Sequence, residues 1–414
     1  MLLFCDSFGH YTSLSQKWNG VIGGCSVSNT GRIGSTSMLI VPAFTPAYVT
    51  KTVNVTTANG GGYVGFALNS TLPTSGPMNF FGVLGGFSSG NTIQLAFNTA
   101  MQISIVVNGI TLATSSLSVL ANVWQYIEVF TVIGDGGAPY PYGHMEVRVN
   151  GVAFVSATGA NVPGISIGSS GLYNGVQLGW LPGSAAYTTT CSICDVYMSD
   201  GSGSFNNTFL GDVSVLMRLP SANGSQNDYT NAWASWAAST VMAVGNQIKD
   251  SNGNIQRVTA ITGDAKTGGS APTWATAGGS PTTDNHVTFA VVGAGANPGA
   301  HNWMAVCENP PDDNGSYVTD ATVNDQDRYT YPVITGSQVF AVSVSMRAGK
   351  DDSGTRSVRG VTKSGGTTAD SGTDFPLSFG YADLQGIFET DPHTSSPWTV
   401  AAVNAAEFGV KTTA

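Results

Sequence analysis

Short runs of alternating apolar and polar residues, rich in β-branched side chains, recur along almost the whole chain. A period of two buries one face only if the segment is a strand. The clearest runs are Val49–Val55, Tyr63–Leu68, Thr92–Phe97, Gln102–Val107, Tyr126–Val132, Glu146–Val149 and Val152–Val155. Clusters of Gly, Asn and Ser separate them. Asn108-Gly109 divides ISIVV from ITLAT, and Asn150-Gly151 divides MEVRV from VAFVS. Asn-Gly supplies the positive φ that a tight hairpin turn needs. Helical periodicity is nearly absent; Asn231–Ala238 is the stretch expected to form a turn or two. The reading is all-β and mostly antiparallel.

Three blocks follow from texture. Residues 1–208 carry regularly spaced strands, enough for a two-sheet sandwich. Residues 229–297 are different: Trp and Ala first, then a Gly/Thr/Ser/Pro-rich middle. Long alternating strands return in 298–414, notably Ser337–Arg347 and Ser357–Thr362. The strand-like FLGDVSVLMRLP, Phe209–Pro220, lies on the far side of the middle block. The expected parse is a C-terminal β-sandwich domain of 209–228 plus 298–414, with 229–297 inserted as a small β module. Loops tolerate such insertions because closure entropy rises slowly with length.

Charged residues are only 10% of the 414, and the formal net charge is −10. Few charges need desolvating when such a surface packs, which favours a homo-oligomer. No basic run exists to neutralise phosphates, so nucleic acid is not an expected partner. The start, MLLFCDSFGHY, lacks the basic and apolar regions of a signal peptide. No apolar run approaches the roughly 20 residues that cross a bilayer, so no membrane insertion is expected. The five cysteines do not form a disulfide framework. Cys191 and Cys194 make a C-x-x-C with strand-like flanks, where a redox motif should open a helix.

Gly86-Phe-Ser88-Ser-Gly90 matches G-x-S-x-G, but its flanks are strand-like on both sides, whereas a nucleophile elbow runs from strand to helix. No catalytic residue is expected, and the five histidines show no metal spacing. Acidic turns at Asp312-Asp313, Asn324–Asp327 and Asp351-Asp352 offer the oxygen ligands that Ca²⁺ takes, without EF-hand spacing. No cofactor and no metal ligand set is therefore expected, a structural Ca²⁺ being the one ion these loops suit. Trp233, Trp236 and Trp274 are the candidates for stacking on sugar; the alternative is that a small module needs them for its core.

Several stretches carry a resemblance. Trp124–Val129, the hairpin Met145–Gly151 and the strand Cys194–Met198 resemble a laminin-G-like or concanavalin-like jelly roll. Asp6–Tyr11 with Lys17-Trp18, Gly31–Gly34, Pro310–Val318, Arg347–Arg359 and Trp398–Lys411 look like signature stretches of a family of tailed-bacteriophage structural proteins. The middle block, with Trp236, Ala243–Ile248, Gly253–Val258 and Gly269–Trp274, is similar to a small module of phage tail proteins and, distantly, to chitin-binding modules. There Met242 and Asn246 replace the expected Tyr and Asp. The resemblance implies a non-enzymatic virion component assembled in a bacterial cytoplasm: a tail fibre or tail-tip protein, with a head-decoration protein or a carbohydrate-binding adhesin as alternatives. It also implies a trimer, other virion proteins as partners, and contact with a host cell-surface glycan.

Overall fold

The computed structural model describes residues 1–41, 45–55, 61–74, 76–85, 92–132, 143–158, 173–184, 189–293 and 301–414. Gly86–Gly90, with the G-x-S-x-G match, lies outside the described residues. The chain divides into two compact units, Met1–Met217 and Arg218–Ala414.

The first unit is a two-sheet antiparallel sandwich. Its strands are β1 (Leu2–Asp6), β2 (Gly20–Ile22), β3 (Cys25–Ser28), β4 (Ser37–Ile40), β5 (Ala47–Val55), β6 (Gly62–Ser70), β7 (Met78–Gly85) and β8 (Ile93–Phe97). There follow β9 (Gln102–Val107), β10 (Ile110–Ser118), β11 (Gln125–Val132), β12 (His144–Val149), β13 (Val152–Thr158), β14 (Tyr173–Trp180) and β15 (Cys191–Asp200). One sheet runs β13-β12-β11-β6-β15-β4-β3, with β1 also on β15; the other runs β10-β9-β8-β7-β14-β5-β2. Neighbours distant in sequence, such as β6 with β15 and β5 with β14, make this a jelly-roll-like order rather than a meander. Both Asn-Gly pairs sit in two-residue hairpins with positive φ at each residue. Inward-facing Phe66 of one sheet and Phe81 of the other stack with centroids 6.2 Å apart.

Two polar networks are buried in this sandwich. At the end of β1, fully buried Asp6 accepts from Trp18 Nε1 (2.8 Å), the Tyr11 hydroxyl (2.5 Å), Phe8 N (3.0 Å) and Lys17 Nζ (3.3 Å). Lys51 Nζ donates to Lys17 O and lies 4.3 Å from the Phe4 ring centroid. On β11, buried Glu128 accepts from Tyr197 Oη (2.7 Å) and from Gly211 N (2.8 Å). Asp195, at the bulge of β15, accepts from Arg32 Nε (3.0 Å) and Val215 N (2.9 Å). Residues 209–217 are thus fastened to the first sandwich. The expectation that Phe209–Pro220 is a strand of the C-terminal domain is corrected: no strand forms there, because its backbone donors are taken by Glu128 and Asp195. Gly65 faces this network, and a Cβ at that position would meet the Tyr197 ring at 2.1 Å.

The second unit opens with β16 (Ala222–Asn227), β17 (Thr230–Trp233), β18 (Gln247–Lys249), β19 (Ile255–Ile261), β20 (Pro281–Asp284) and β21 (Val287–Gly293). It continues with β22 (Ser316–Thr319), β23 (Gln326–Thr330), β24 (Val342–Ala348), β25 (Ser357–Ser364), β26 (Thr367–Asp370), β27 (Phe375–Pro376) and β28 (Ala382–Phe388). Last come β29 (Thr390–Asp391), β30 (Ser396–Pro397), α1 (Val400–Ala405) and β31 (Glu407–Thr412). The main sheet runs β16-β23-β31-β25-β26, with β27 on β25. The antiparallel β24–β28 pair supplies Val344 and Phe388 to a core with Trp398, Ala406 and Phe408. Helix α1, which pattern reading missed, is capped by Thr399, whose side chain accepts from Ala402 N.

Strands β17 and β22 pair with each other, Trp233 opposite Ser316. The residues between them include a four-stranded sheet, β18-β19-β21-β20, with its own core of Ile248, Val258, Trp274, Val287 and Phe289. The strand Thr230–Trp233 therefore lies on the body's side of that sheet, and the turn of helix expected in Asn231–Ala238 is replaced by it. The short 3-10 helix Asn302–Val306 also belongs to the body: Asn302 Nδ2 donates to Asp327 Oδ2 and Tyr229 O, both at 2.7 Å. A deletion of residues 235–297 closed by a Gly/Ser splice is expected to fold with a strand-dominated far-UV spectrum and cooperative unfolding. Loss of cooperative unfolding would show that the small sheet is part of the body's core.

Candidate functional site

Of the three tryptophans expected to stack on sugar, Trp236 and Trp274 are occupied by packing. Trp274 is 6% exposed and sits edge-on to Phe289, with centroids 5.3 Å apart. Trp236 packs on the same cluster and donates Nε1 to Asp284 Oδ2 at 2.7 Å. Trp233 is half-buried on β17, and its Nε1 is buried. With so small a core, the apolar area of the Trp236 and Trp274 rings is worth more inside than out.

The other chemical candidates resolve in the same way. Cys191 and Cys194 are both buried on β15, and burial pushes the Cys194 thiol up to about 12, away from the thiolate that redox or zinc chemistry needs. All five cysteines are free. Asp312 and Asp313 diverge: the first turns to Ser316, the second to Arg347. Asp352 pairs with Arg356 (2.6 Å). Asp327 is a buried acceptor for Asn227 and Asn302. Among the described residues no group of three His, Cys, Asp or Glu is placed to hold a metal ion, and no helix is long and apolar enough to cross a membrane.

The surface that stands out lies where β24 ends against the 377–381 turn. In β24, Val342, Val344 and Met346 face the core, so Arg347 points to the other side. Its guanidinium is held by Asp313 (Nη2 to Oδ2, 2.9 Å, with Nε also donating) and by its cross-strand partner Asp383 (2.8 Å). The Asp313 hydrogen bond, together with both carboxylate charges, keeps Arg347 more firmly protonated than usual. The guanidinium carbon lies 5.6 Å from the Tyr381 ring centroid, and Tyr381 Oη donates to Asn314 Oδ1 at 2.7 Å. Two residues before Tyr381, Phe379 is 70% exposed. Lys350 Nζ lies 5.5 Å from its ring centroid and donates to Gly354 O. Lys350 N donates to Ser378 O at 2.8 Å, which ties the turn to the strand end.

This arrangement sets an exposed Phe379 beside a half-buried Tyr381, each with a cation near its ring. Exposing a phenylalanine gives up its burial free energy, on the order of 1.5–3 kcal/mol. Near the Tyr381 ring stand planar hydrogen-bonding groups: Arg347, with its partners Asp313 and Asp383, and Asn314. The guanidinium's charge is met by two carboxylates, so the surface is polar and directional without a cationic surplus. Sequence reading selects Arg347 within a family-like stretch, Asp313 within such a stretch and as part of an acidic turn, and Phe379 not at all.

No family model matches the sequence, and no curated protein matches it. Solved structures of similar fold exist. The marine alginate lyase from Aplysia kurodai is 10% identical, covering 48% of this chain and 99% of its own, with a TM-score of 0.39. An alginate lyase from a Chlorella virus is 12% identical over 48% and 100%, with a TM-score of 0.35. A Trypanosoma rangeli sialidase is 14% identical over 42% and 27%, with a TM-score of 0.29. The neighbours named here are carbohydrate-processing enzymes, which runs against the expectation of a non-enzymatic virion component. At these identities and scores the likeness is one of β-sandwich architecture, so the Arg347–Phe379–Tyr381 surface is read on its own geometry.

Proposed function

We propose that this chain is a carbohydrate-active β-sandwich protein that holds polysaccharide on the Phe379–Tyr381 surface of its second unit. The observation that carries the reading is Phe379, an aromatic ring 70% exposed yet fixed by the Lys350–Ser378 backbone bond beside Tyr381. Sugar rings present C–H faces that stack on aromatic rings, and hydroxyls that pair with planar carboxylate, amide and guanidinium groups. Both kinds of partner are present here, on the 377–381 turn, the end of β24 and the loop that carries Asp313 and Asn314. Arg347 is neutralised by Asp313 and Asp383, and the chain's net charge is −10. Neutral sugars therefore suit the surface better than uronates.

The test is retention on insoluble polysaccharides and affinity electrophoresis in soluble ones, with neutral glucans, mannans and galactans set against alginate. Retardation by at least one neutral polysaccharide, and none by alginate, is expected. The same incubations are assayed for new reducing ends and for absorbance from unsaturated sugars, which separates holding from cleavage. Absence of retardation across all the polysaccharides would overturn the proposal.

A further inference from the structure

One rim of the first unit carries large aliphatic side chains that the fold leaves in solvent. Leu72, Leu117, Leu120, Val123 and Val152 are each 44–62% exposed. Printed bonds of the backbone tie their stretches together. Asn122 N donates to Ser70 O (2.8 Å), which sets the stretch of Val123 beside that of Leu72. Asn150 N donates to Tyr126 O (2.7 Å), and Asn150 Nδ2 to Gln125 Oε1 (3.1 Å), which brings the Asn150-Gly151 turn and Val152 to the same stretch. Leu117 and Leu120 lie where β10 runs out toward Val123. Val119 between them is buried, and its N–H is held by Met101 O (2.9 Å). Strand β13, which starts at Val152, runs close beside β10.

The rim is also without charge. From Thr52 to Ile127, and again from Val149 to Cys194, the chain holds no Asp, Glu, Lys or Arg. All five residues fall in these two stretches. Strands β10 and β13 are the outer strands of their sheets, and among the described residues no strand pairs with their free edges. Free edges are usually guarded by charge or proline; ITLATSSLS and VAFVSAT have neither. The pairing of β10 with β9 is irregular between Thr114 and Ser118. That irregularity turns the edge aside from plain strand addition, so what the rim offers a partner is side chains. Neighbouring exposed apolar groups of this kind mark a contact surface.

We propose that this rim is the contact between two copies of the chain, related by a two-fold axis. Charge selects the partner. A lipid surface is drawn by basic side chains set around the apolar ones, and these stretches have none. A partner of opposite charge finds no charge to meet. Two copies, each with a formal net charge of −10, meet here with no like charges opposed and none desolvated. A two-fold sets like against like, which an uncharged apolar surface tolerates and a strongly charged one does not. The size fits as well. Strand β10 has nine residues, about 30 Å of chain, and Ile110 at its far end is exposed too. A standard interface covers about 800 Å² per partner, roughly 28 Å across.

The experiment is sedimentation equilibrium of the full chain across the micromolar range. A monomer–dimer equilibrium that is little changed by salt is expected. Leu117→Lys and Leu120→Lys bring charge into the contact and should each weaken dimerisation about tenfold or more. Both side chains are exposed, so the melting temperature of each dilute variant should stay within a degree or so of the parent's. Val241→Lys changes a similarly exposed residue of the second unit and should dimerise as the parent does. Flotation with phosphatidylcholine vesicles tests the lipid alternative, and no flotation is expected. The proposal falls if the parent stays monomeric throughout the range, if Leu117→Lys and Leu120→Lys dimerise as the parent does, or if the parent floats with the vesicles as a monomer.

Discussion

Asp6→Ala is expected to destabilise the first sandwich by about 3–5 kcal/mol, the loss usual when one partner of a buried ion pair is removed. The Asp6 carboxylate is fully buried and gathers four donors, one of them the ammonium of Lys17, whose side chain is 7% exposed. Its removal leaves that ammonium, the Trp18 indole N–H and the Tyr11 hydroxyl without their acceptor. Urea titration of the parent and the variant measures the difference. The same network sets the acid limb of stability. Burial opposes ionisation of Asp6, but Lys17, His10 and its hydrogen bonds outweigh it and hold its pKa below the usual 3.8. The stability it supplies is present above that value and is lost as pH falls through the lowered folded value. His10 acts earlier. Burial and Lys17 push it down to about 4 from 6.5, so its contribution is full above 6.5 and declines between 6.5 and about 4. Acid should therefore weaken the parent in two stages, and Asp6→Ala should lose the part of the lower one that Asp6 supplies. A loss under 1 kcal/mol in Asp6→Ala would mean that water replaces the carboxylate and that the network adds little.

Glu128→Ala is expected to cost about 2–4 kcal/mol and to release residues 209–217 from the sandwich. Its Oε1 serves both Tyr197 Oη and Gly211 N inside the fold, and each donor left unmet costs about 1–3 kcal/mol. Limited proteolysis reads the release: new cleavage between about Phe209 and Met217, ahead of global unfolding, is expected in the variant. Cleavage at the same rate in parent and variant would place the anchor elsewhere, on Asp195 and Arg32.

How far the sequence speaks is shown by these same residues. Asn108-Gly109 and Asn150-Gly151 announce their hairpins because two adjacent positive φ angles exclude most other dipeptides. The strands around them alternate, and they fold as the alternation says. Phe209–Pro220 alternates too, yet forms no strand. Its backbone donors go to side chains on β11 and β15, partners that local pattern cannot reveal. Asp6, Lys17 and Trp18 stand out in the sequence as a family-like opening, but only the fold shows that they meet around one carboxylate. Trp236 and Trp274 misled for a simple reason: ring size signals burial as strongly as it signals stacking, and in a small core burial wins. Phe379 gives no sign of itself, since the exposure of a phenylalanine in a Gly/Ser turn is decided by the backbone bond from Lys350 to Ser378 and by the β24–β28 register.

The account's central claim is that polysaccharide is held on Phe379 and Tyr381, and the most direct measurement is the affinity of Phe379→Ala for whichever neutral polysaccharide retards the parent. Phe379 is exposed and buries little on folding, so the melting temperature should stay within a degree or so of the parent's, as for an ordinary surface change. Loss of a stacking ring should cost about 1.4 kcal/mol or more, a tenfold or larger weakening in affinity electrophoresis. Tyr381→Ala should weaken binding as well, with some loss of stability from the Arg347 and Asn314 contacts. An unchanged affinity in Phe379→Ala, with the parent binding, would contradict the account and place the sugar elsewhere on the molecule.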